Sequence, residues 1–573
     1  DAIGTHDCAL PDSPENNFCT LNPLDKHATF PALAEGNLKT VNAGSAWFYC
    51  RSTFSVTSGK WYVEIRQTGK YIFMGVLAQT LGLTTNSSSN STGVYACFNS
   101  NGDLIPYSTG TSGTDSGDFT DGDIVGLAYD YDAQTLKIYQ DNTLRATVSS
   151  IPKTEAMSFM CGTAEVTNTT VWNFGQDASF AGAITAGTAT DGNGKGVFLY
   201  APPSGYLALC TANLDDDDLP ISPNADTQAD DHFETVLYEG NGSTQNVAVN
   251  FQPDFTWIKN RDATDAHQLF DSTRLATNVL ESNDTTLDVA NDDTLTDFTP
   301  TDESIGFSLG DDVTVNTGSE SYVAWNWKAN GGTTTTNDAS STGIGTIDSV
   351  FQANTTAGFS IVTFTGDGNT GASVAHGLGV IPEIILIKNR DEAQAWVFNA
   401  NLSTKYRMVL DTTAADSGDF NTYMGTQTDD RIVFGGTNHV AWNGSDDKML
   451  AYCFASVEGY SKFGKYFGNA ASTTPFDGTF VYLGFRPAWL MLKRTDVTGQ
   501  WRIYDTERSP LNYMDELLSA DENALEAEGS TSRLDFLSSG FKLRGSASGT
   551  NKSGGTYIYM AFAKAPFKYA NAR

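Results

Sequence analysis

The sequence predicts an all-β protein: one antiparallel β-sandwich followed by three homologous β-rich, sandwich-like domains. Three observations predict it. The chain of 573 residues is 40% hydrophobic and 12% aromatic but only 18% charged, and it is rich in Thr, Ser, Asn and Gly. That mixture suits pleated, turn-rich sheets better than helical bundles. Its front third reads as short strands of period two broken by turns, and its remainder repeats one set of phrases three times. A length well beyond the ~250–300 residues at which single cores stop growing requires several domains.

The first 39 residues read as an N-terminal extension, and residues 40–178 as the sandwich. SGKWYVEI, from Ser58, places Trp61, Val63 and Ile65 on one strand face and Tyr62 and Glu64 on the other, a half-buried strand. MGVLA from Met74 and DGDIVGLAYDYDAQTLKIYQDNTLRATV from Asp121 continue as strand, turn and strand, and WNFG at Trp172 closes the block. Residues 179–231, with DGNGKG and the acidic LDDDDLPISPNADTQADD, read as a linker.

The repeats follow. QPDFTWIKNRD, IPEIILIKNRD and RPAWLMLKRTD align on Pro253, Pro382 and Pro487, with Lys259, Lys388 and Lys493 six residues on. A second phrase aligns on Ala324, Ala451 and Ala561, at separations of 71, 69 and 74 residues from the prolines. Between them lies a third phrase, IGFSLG, RIVFGG or SGFKLR. The repeats are placed at 232–330, 356–458 and 462–573, each the size of a small domain. A Gly/Thr/Ser-rich linker, 331–355, is expected as a loose strap between the first two, whereas the second and third abut and should pack together. MDELLSADENALEAE from Met514 has helix-forming composition. The repeated lysines read as strand ends, with stems on the core and ammonium groups in water, rather than as catalytic groups.

The front block, with SGK-W-Y-E, then GV, then GD-I-G ahead of an Asp and a terminal NFG, resembles a SPRY domain, a concanavalin-like antiparallel β-sandwich used for recognition. Asp141-Asn142 stands where that family usually has NG. The remainder, through PPSGYLALCTANL, HGLGVIPEIILIKNR, AYCFASVEGYSKFGKYFGN and AFAKAPFKYANAR, is similar to tandem arrays in structural proteins of tailed, marine-type phages. With DSPENNFCTLNPLDK the likeness runs nearly end to end. It implies a virion protein of the tail-fibre or spike kind on the particle surface. The implied partners are other virion proteins and a host surface glycan or protein receptor. It also implies a homo-oligomer, with a trimer favoured. A capsid decoration or head fibre is the alternative, and a glycan-degrading spike enzyme a more distant one.

The residues bound these readings. A formal charge of −34 opposes binding to nucleic acid or anionic membrane. No apolar run is long enough to span a bilayer, and DAIGTHDCALPDSP does not read as a signal peptide; without an initial Met the sequence is expected to be processed or partial. Seven scattered cysteines contain no CxxC pair, so no zinc site is expected; Cys8 and Cys19 are spaced to close a short loop in an oxidising compartment. No cofactor is expected. Calcium has two candidate turns, Asp215–Asp218 and Asp367-Gly-Asn369, and neither reproduces a D-x-D-x-D-G loop with its distal Glu. Catalysis has no recognisable set. Asp121/Asp123 and Asp130/Asp132 are the pairs an acid–base mechanism would use, but such pairs arise by chance among 68 acids, and His267, His376 and His439 fall at unmatched places. No enzyme activity is expected. For binding, Tyr71, Tyr95, Tyr107, Tyr129 and Tyr131 are aromatic candidates, the first three preferred. The loops Gln79–Ser91 and Asn99–Asp118 are the expected recognition elements.

Overall fold

The structure is a computed structural model that describes residues 16–27, 30–41, 48–79, 81, 83, 93–153, 155–163, 168–214, 220–221, 227–300, 305–470 and 477–564. It is all-β, and the helices among the described residues are only three or four residues long. No helix among the described residues is long and apolar enough to cross a membrane.

The first compact unit, essentially residues 1–215, is a sandwich of two antiparallel sheets. In the first sheet, seven strands run in the order Leu21–Lys26, Phe48–Val56, Met157–Thr163, Ile72–Ala78, Val94–Ser100, Asp103–Ser108, Thr111–Ser112. The second sheet centres on Lys60–Thr68, flanked by Ile124–Asp130 and Thr169–Asn173. Trp61, Val63 and Ile65 point into the core between the sheets, beside Leu127, Phe159 and Trp172. The opposite face of that strand is not wet. Tyr62 packs against Phe198, Tyr206, Ala208 and Cys210. Glu64 is fully buried and accepts the N–H groups of Leu199 and Tyr200, both at 2.8 Å.

Two expected boundaries therefore move. Residues 198–210 belong to the folded sandwich rather than to a linker, and Leu207–Ala208 even adds a parallel strand beside Trp61 and Tyr62. The acid that alternation placed outward is what secures this cover. Asp191 fixes the turn before it by accepting from the N–H groups of Asn193, Lys195 and Ala208. Likewise, the supposed N-terminal extension supplies Leu21–Lys26 and Leu33–Ala34 as edge strands of the two sheets. The acidic run Asp215–Asp218 and most of Gln79–Ser91 lie outside the described residues.

The second compact unit, essentially residues 216–568, holds all three repeats. Each contains a five-strand sheet of one topology. In the first repeat the spatial order is Phe233–Glu239, Ser321–Trp327, Phe255–Asn260, Gln268–Asp271, Leu275–Glu281. In the second it is Phe359–Thr365, Lys448–Phe454, Ile384–Asn389, Val397–Asn401, Lys405–Val409. In the third it is Ser461–Phe467, Thr556–Ala563, Pro487–Arg494, Arg502–Asp505, Glu516–Ser519. The third shared phrase forms a strand of a small second sheet each time: Gly306–Leu309, Arg431–Val433 and Gly540–Leu543.

Strand pairing corrects the alignment. Lys259, Lys388 and Lys493 lie opposite Val323, Leu450 and Ile558, so the residue matching Ala324 and Ala451 is Tyr559, not Ala561. The alternating small and large residues of YIYMAFAK allowed a slip of two positions, which keeps the face and is invisible to a pattern of period two.

Three further corrections concern secondary structure. The segment from Met514 forms strands Glu516–Ser519 and Ala527–Glu528 rather than a helix, because Leu517 and Leu518 are buried where the sheet adds its next strands. Sheet context overrides propensity here. Residues 331–355 are not a loose strap: Ser349–Asn354 pairs along Phe359–Phe364, with Thr335–Asn337 outside it. The Gly-rich start of that segment is held by buried Asp254, which accepts the N–H groups of Ala329, Gly331 and Gly332 at 2.7–2.8 Å. The repeats, expected as a tandem array, are gathered into one unit, the first two included.

Candidate functional site

Of the tyrosines proposed for binding, Tyr95 and Tyr107 are buried, at 4% and 2% exposure. Tyr107 stands edge-on to Phe73, with ring centroids 4.9 Å apart, inside an apolar cluster with Leu77 and Met160. Tyr129 and Tyr131 are also core residues, stacked edge-on to each other. Tyr71 is half-buried and sits in the left-handed region, φ 57°, at the turn before its strand. Tyr95, Tyr107 and Tyr129 are packing residues, because the strand faces that carry them are covered.

What reaches the surface is the hairpin after Tyr107, where residues 111–115 and Asp118 are exposed. Asn99 anchors its base, donating to Gln67 Oε1 at 3.0 Å and accepting from the N–H of Gly102. The carboxylates of Asp103, Asp115 and Asp118 come within 4.8 Å of one another there. An all-oxygen set of this kind suits a hard cation, although exposed acids also gather without one on so acidic a chain. The turn at Asp367 does not gather ligands: its carboxylate accepts from Asn369 and Asn443.

The repeated phrase acquires a physical meaning in the second unit. Along Phe255–Asn260, Ile258 faces the small sheet of its own repeat, so by alternation Phe255, Trp257 and Lys259 face the other way. That second face meets the other repeats. Phe255 lies 4.4 Å from the ring of Tyr452 in the second repeat, and Phe233 of the first stacks on Phe562 of the third at 5.2 Å. Together these faces enclose an apolar cavity of about 20 Å³, lined by Trp257, Trp327, Leu386, Phe454, Trp489 and Met491 among others. An apolar space of that size stays dry and admits no organic ligand.

The polar residues of the phrase serve the same packing. Its aspartates, Asp262, Asp391 and Asp496, accept the N–H groups that open the neighbouring strand, from Ser321, Lys448 and Thr556 at 2.6, 2.8 and 3.1 Å. Eight residues after each lysine stands a donor aimed at another repeat. Trp396 donates to the carbonyl of Glu281 at 2.7 Å and Trp501 to that of Val409 at 3.0 Å. His267 Nε2 meets the carbonyl of Ser519 at 3.0 Å, while its Nδ1 accepts from Trp257 at 2.9 Å. The sequence carries one signal for this position, the matched tryptophans Trp396 and Trp501, each eight residues after its lysine.

A sequence profile described as "Domain of unknown function (DUF7483)" matches residues 228–566, well over half of the chain. The chain belongs to the DUF7483 family. No curated protein sequence matches it. Among solved structures, the TRIM65 PSpry domain is similar at 12% identity and a TM-score of 0.24, over 27% of this chain and 89% of that one. The SPRY domain of human HERC1 is similar at 12% and 0.21, over 28% of this chain and 95% of that one. Stonustoxin is similar at 21% and 0.23, over 27% of each chain.

The lysines of the DUF7483 domain depart from expectation. Lys259, Lys388 and Lys493 are fully buried, ammonium included. Lys259 Nζ donates to the carbonyls of Asn260 and Ala263, Lys388 to that of Gln394, and Lys493 to those of Gly499 and of Thr413 in the second repeat. Burial pushes each pKa down to about 8, against the pull of nearby acids such as Asp411 and Asp521. Carbonyls of the following turn draw the ammonium inward, a turn the sequence could not place. Held by these backbone carbonyls, the amines act as fasteners.

Charge is distributed unevenly between the DUF7483 repeats. Asp271 binds Arg274 at 2.5 Å, Arg274 reaches Asp288 at 2.9 Å, and Asp288 takes Arg390 of the second repeat at 2.6 Å. Asp505, Arg508, Glu526 and Arg261 repeat that chain between the third repeat and the first, at 2.5, 2.8 and 2.5 Å. Between third and second, Ala400 and Thr495 occupy the positions of Asp271 and Arg261, and no such chain forms there among the described residues.

Proposed function

We propose that this chain is a structural and binding protein of a tailed-phage virion: an exposed appendage of the tail-fibre or spike kind that attaches the particle to the host cell surface. The phage context comes from the resemblance of its phrases to such proteins. The observation that carries the non-catalytic part is the fate of the repeated polar residues. The lysines, aspartates and His267 are spent on backbone groups inside the DUF7483 domain, and none of them lines the small apolar cavity between the repeats. Recognition is assigned to the exposed hairpin at residues 109–118, whose Thr, Ser and Asp side chains stand on a rigid sandwich. Its target would be a glycan or protein receptor.

Locating the chain in a cryo-EM map of the intact particle tests this reading. Density on the tail is the expected result. Density on the capsid lattice would replace it with the decoration or head-fibre reading. Exchanging residues 109–118 for a Gly/Ser turn should lower adsorption to the host while leaving particle assembly intact. Release of sugar from host polysaccharide by the purified protein would overturn the non-catalytic part.

A further inference from the structure

The contacts between the DUF7483 repeats have a direction, and the direction is cyclic. Trp396 carries the second repeat to the first, Trp501 the third to the second, and His267 the first to the third. A backbone set closes the same cycle, with its N–H donors on the opposite side of each seam. The N–H of Asp288 donates to the carbonyl of Arg390 at 3.1 Å, that of Asp416 to Thr495 at 2.9 Å, and that of Glu526 to Arg261 at 2.9 Å. Arg390, Thr495 and Arg261 are matched positions, each two residues after the repeated lysine. One head-to-tail interface therefore occurs three times and returns to its start, and head-to-tail contacts that return to their start make a closed ring.

We infer that residues 228–566 are a one-chain pseudo-trimer. Each face through which such a domain would take a second copy is filled by another repeat of the same chain. The seam between the first and third repeats is the clasp that closes the ring. It joins residues 252 and 265 positions apart, His267 to Ser519 and Arg261 to Glu526, where no short stretch of chain holds the two sides together. The buried Asp505 and Arg508 and the half-buried Glu526 and Arg261 sit on that seam. The partner of every face is thus internal, and one chain takes the place of the three that the phage resemblance implied. This inference goes beyond the virion reading and does not rest on it.

A disulfide across the clasp tests it. The backbone bond between Glu526 and Arg261 brings their Cα atoms within the span a disulfide needs. The R261C/E526C double variant of the full chain, oxidised when dilute, should form a bond within one chain. It would be read as a single-chain band of altered mobility on a non-reducing gel and mapped by mass spectrometry of the linked peptides. Bonds between chains, or no bond in a folded variant, would overturn the inference. Should the variant fail to fold, amide exchange on the unmodified protein decides. Protection of the Asp288, Asp416 and Glu526 amides should not change with protein concentration, whereas protection that grows with concentration would mean the faces are filled by other copies.

Discussion

The indole N–H of Trp325 donates to the carboxylate of Asp505 at 3.0 Å, across 180 residues of sequence. At the matched place on the next seam, Tyr452 donates to Asp271 at 2.7 Å. On the third seam the two positions hold Met560 and Ala400, both buried, with no side-chain donor and no carboxylate between them. Donor and acceptor are present together or absent together, as the cost of leaving a buried polar group unpaired requires.

Breaking this pair should expose that cost. In Asp505→Ala, Arg508 loses its nearest carboxylate and Trp325 its acceptor, both in full burial. A loss of about 3–5 kcal/mol is expected, typical of removing one partner of a buried ion pair. Trp325→Phe keeps the ion pair and removes the N–H donor with part of the ring volume, so its loss should be smaller, about 1–3 kcal/mol. Urea midpoints followed by tryptophan fluorescence would rank the two, and the reverse order would contradict the geometry.

The buried lysines should make the protein more stable as the solution turns alkaline. Each has a folded pKa near 8 against an ordinary 10.5, so the unfolded chain binds more protons and stability rises with pH from about 8 upward. Above pH 10 the trend should reverse, because tyrosines such as Tyr238 and Tyr466, held protonated by burial, ionise once the chain unfolds. Lys388→Met should flatten the rise between pH 8 and 10 by that lysine's share. Equal slopes for variant and parent would show that the amine is not buried.

His267 should set part of the acid limit. Burial, reinforced by Lys259 and Arg508, holds its folded pKa well below 6.5. The unfolded chain therefore takes up the extra proton, and stability falls as pH drops below 6.5. His232, pushed down to about 4 mainly by burial, acts in the same sense over pH 6.5 to 4. His267→Gln keeps a donor for Ser519 and cannot titrate, so its stability should depend less on pH between 6.5 and 5. Denaturation midpoints at both pH values check this.

Tyr107 distinguishes a packing residue from a binding one. Tyr107→Ala should cost about 3–5 kcal/mol, as for other large aromatic truncations in a core. Replacing exposed Thr111 or Thr114 should change stability by less than about 0.5 kcal/mol. If thermal denaturation found Tyr107→Ala as stable as the parent, the ring would not be packed as described.

By itself the sequence determined the all-β class, the three-fold repetition and the strand that begins at each proline, because these rest on local residue order. Pro253, Pro382 and Pro487 each open a strand or stand just before one, and the lysine six residues on closes the apolar run every time. Trp61, Val63 and Ile65 could be assigned to the core from alternation alone. Only the tertiary structure decided what covers the second face of each strand. Glu64 looked solvent-facing until residues 198–210 folded over it, and Lys388 looked like a wet strand end until the carbonyl of Gln394 reached its amine. The same holds for Tyr95 and Tyr107, whose hydroxyl-bearing rings fit a binding surface or a core equally well by composition. A period of two reports that a strand has two faces; which of them meets water depends on segments hundreds of residues away. That is why Trp325 finds its acceptor at Asp505, a partner no local pattern could name.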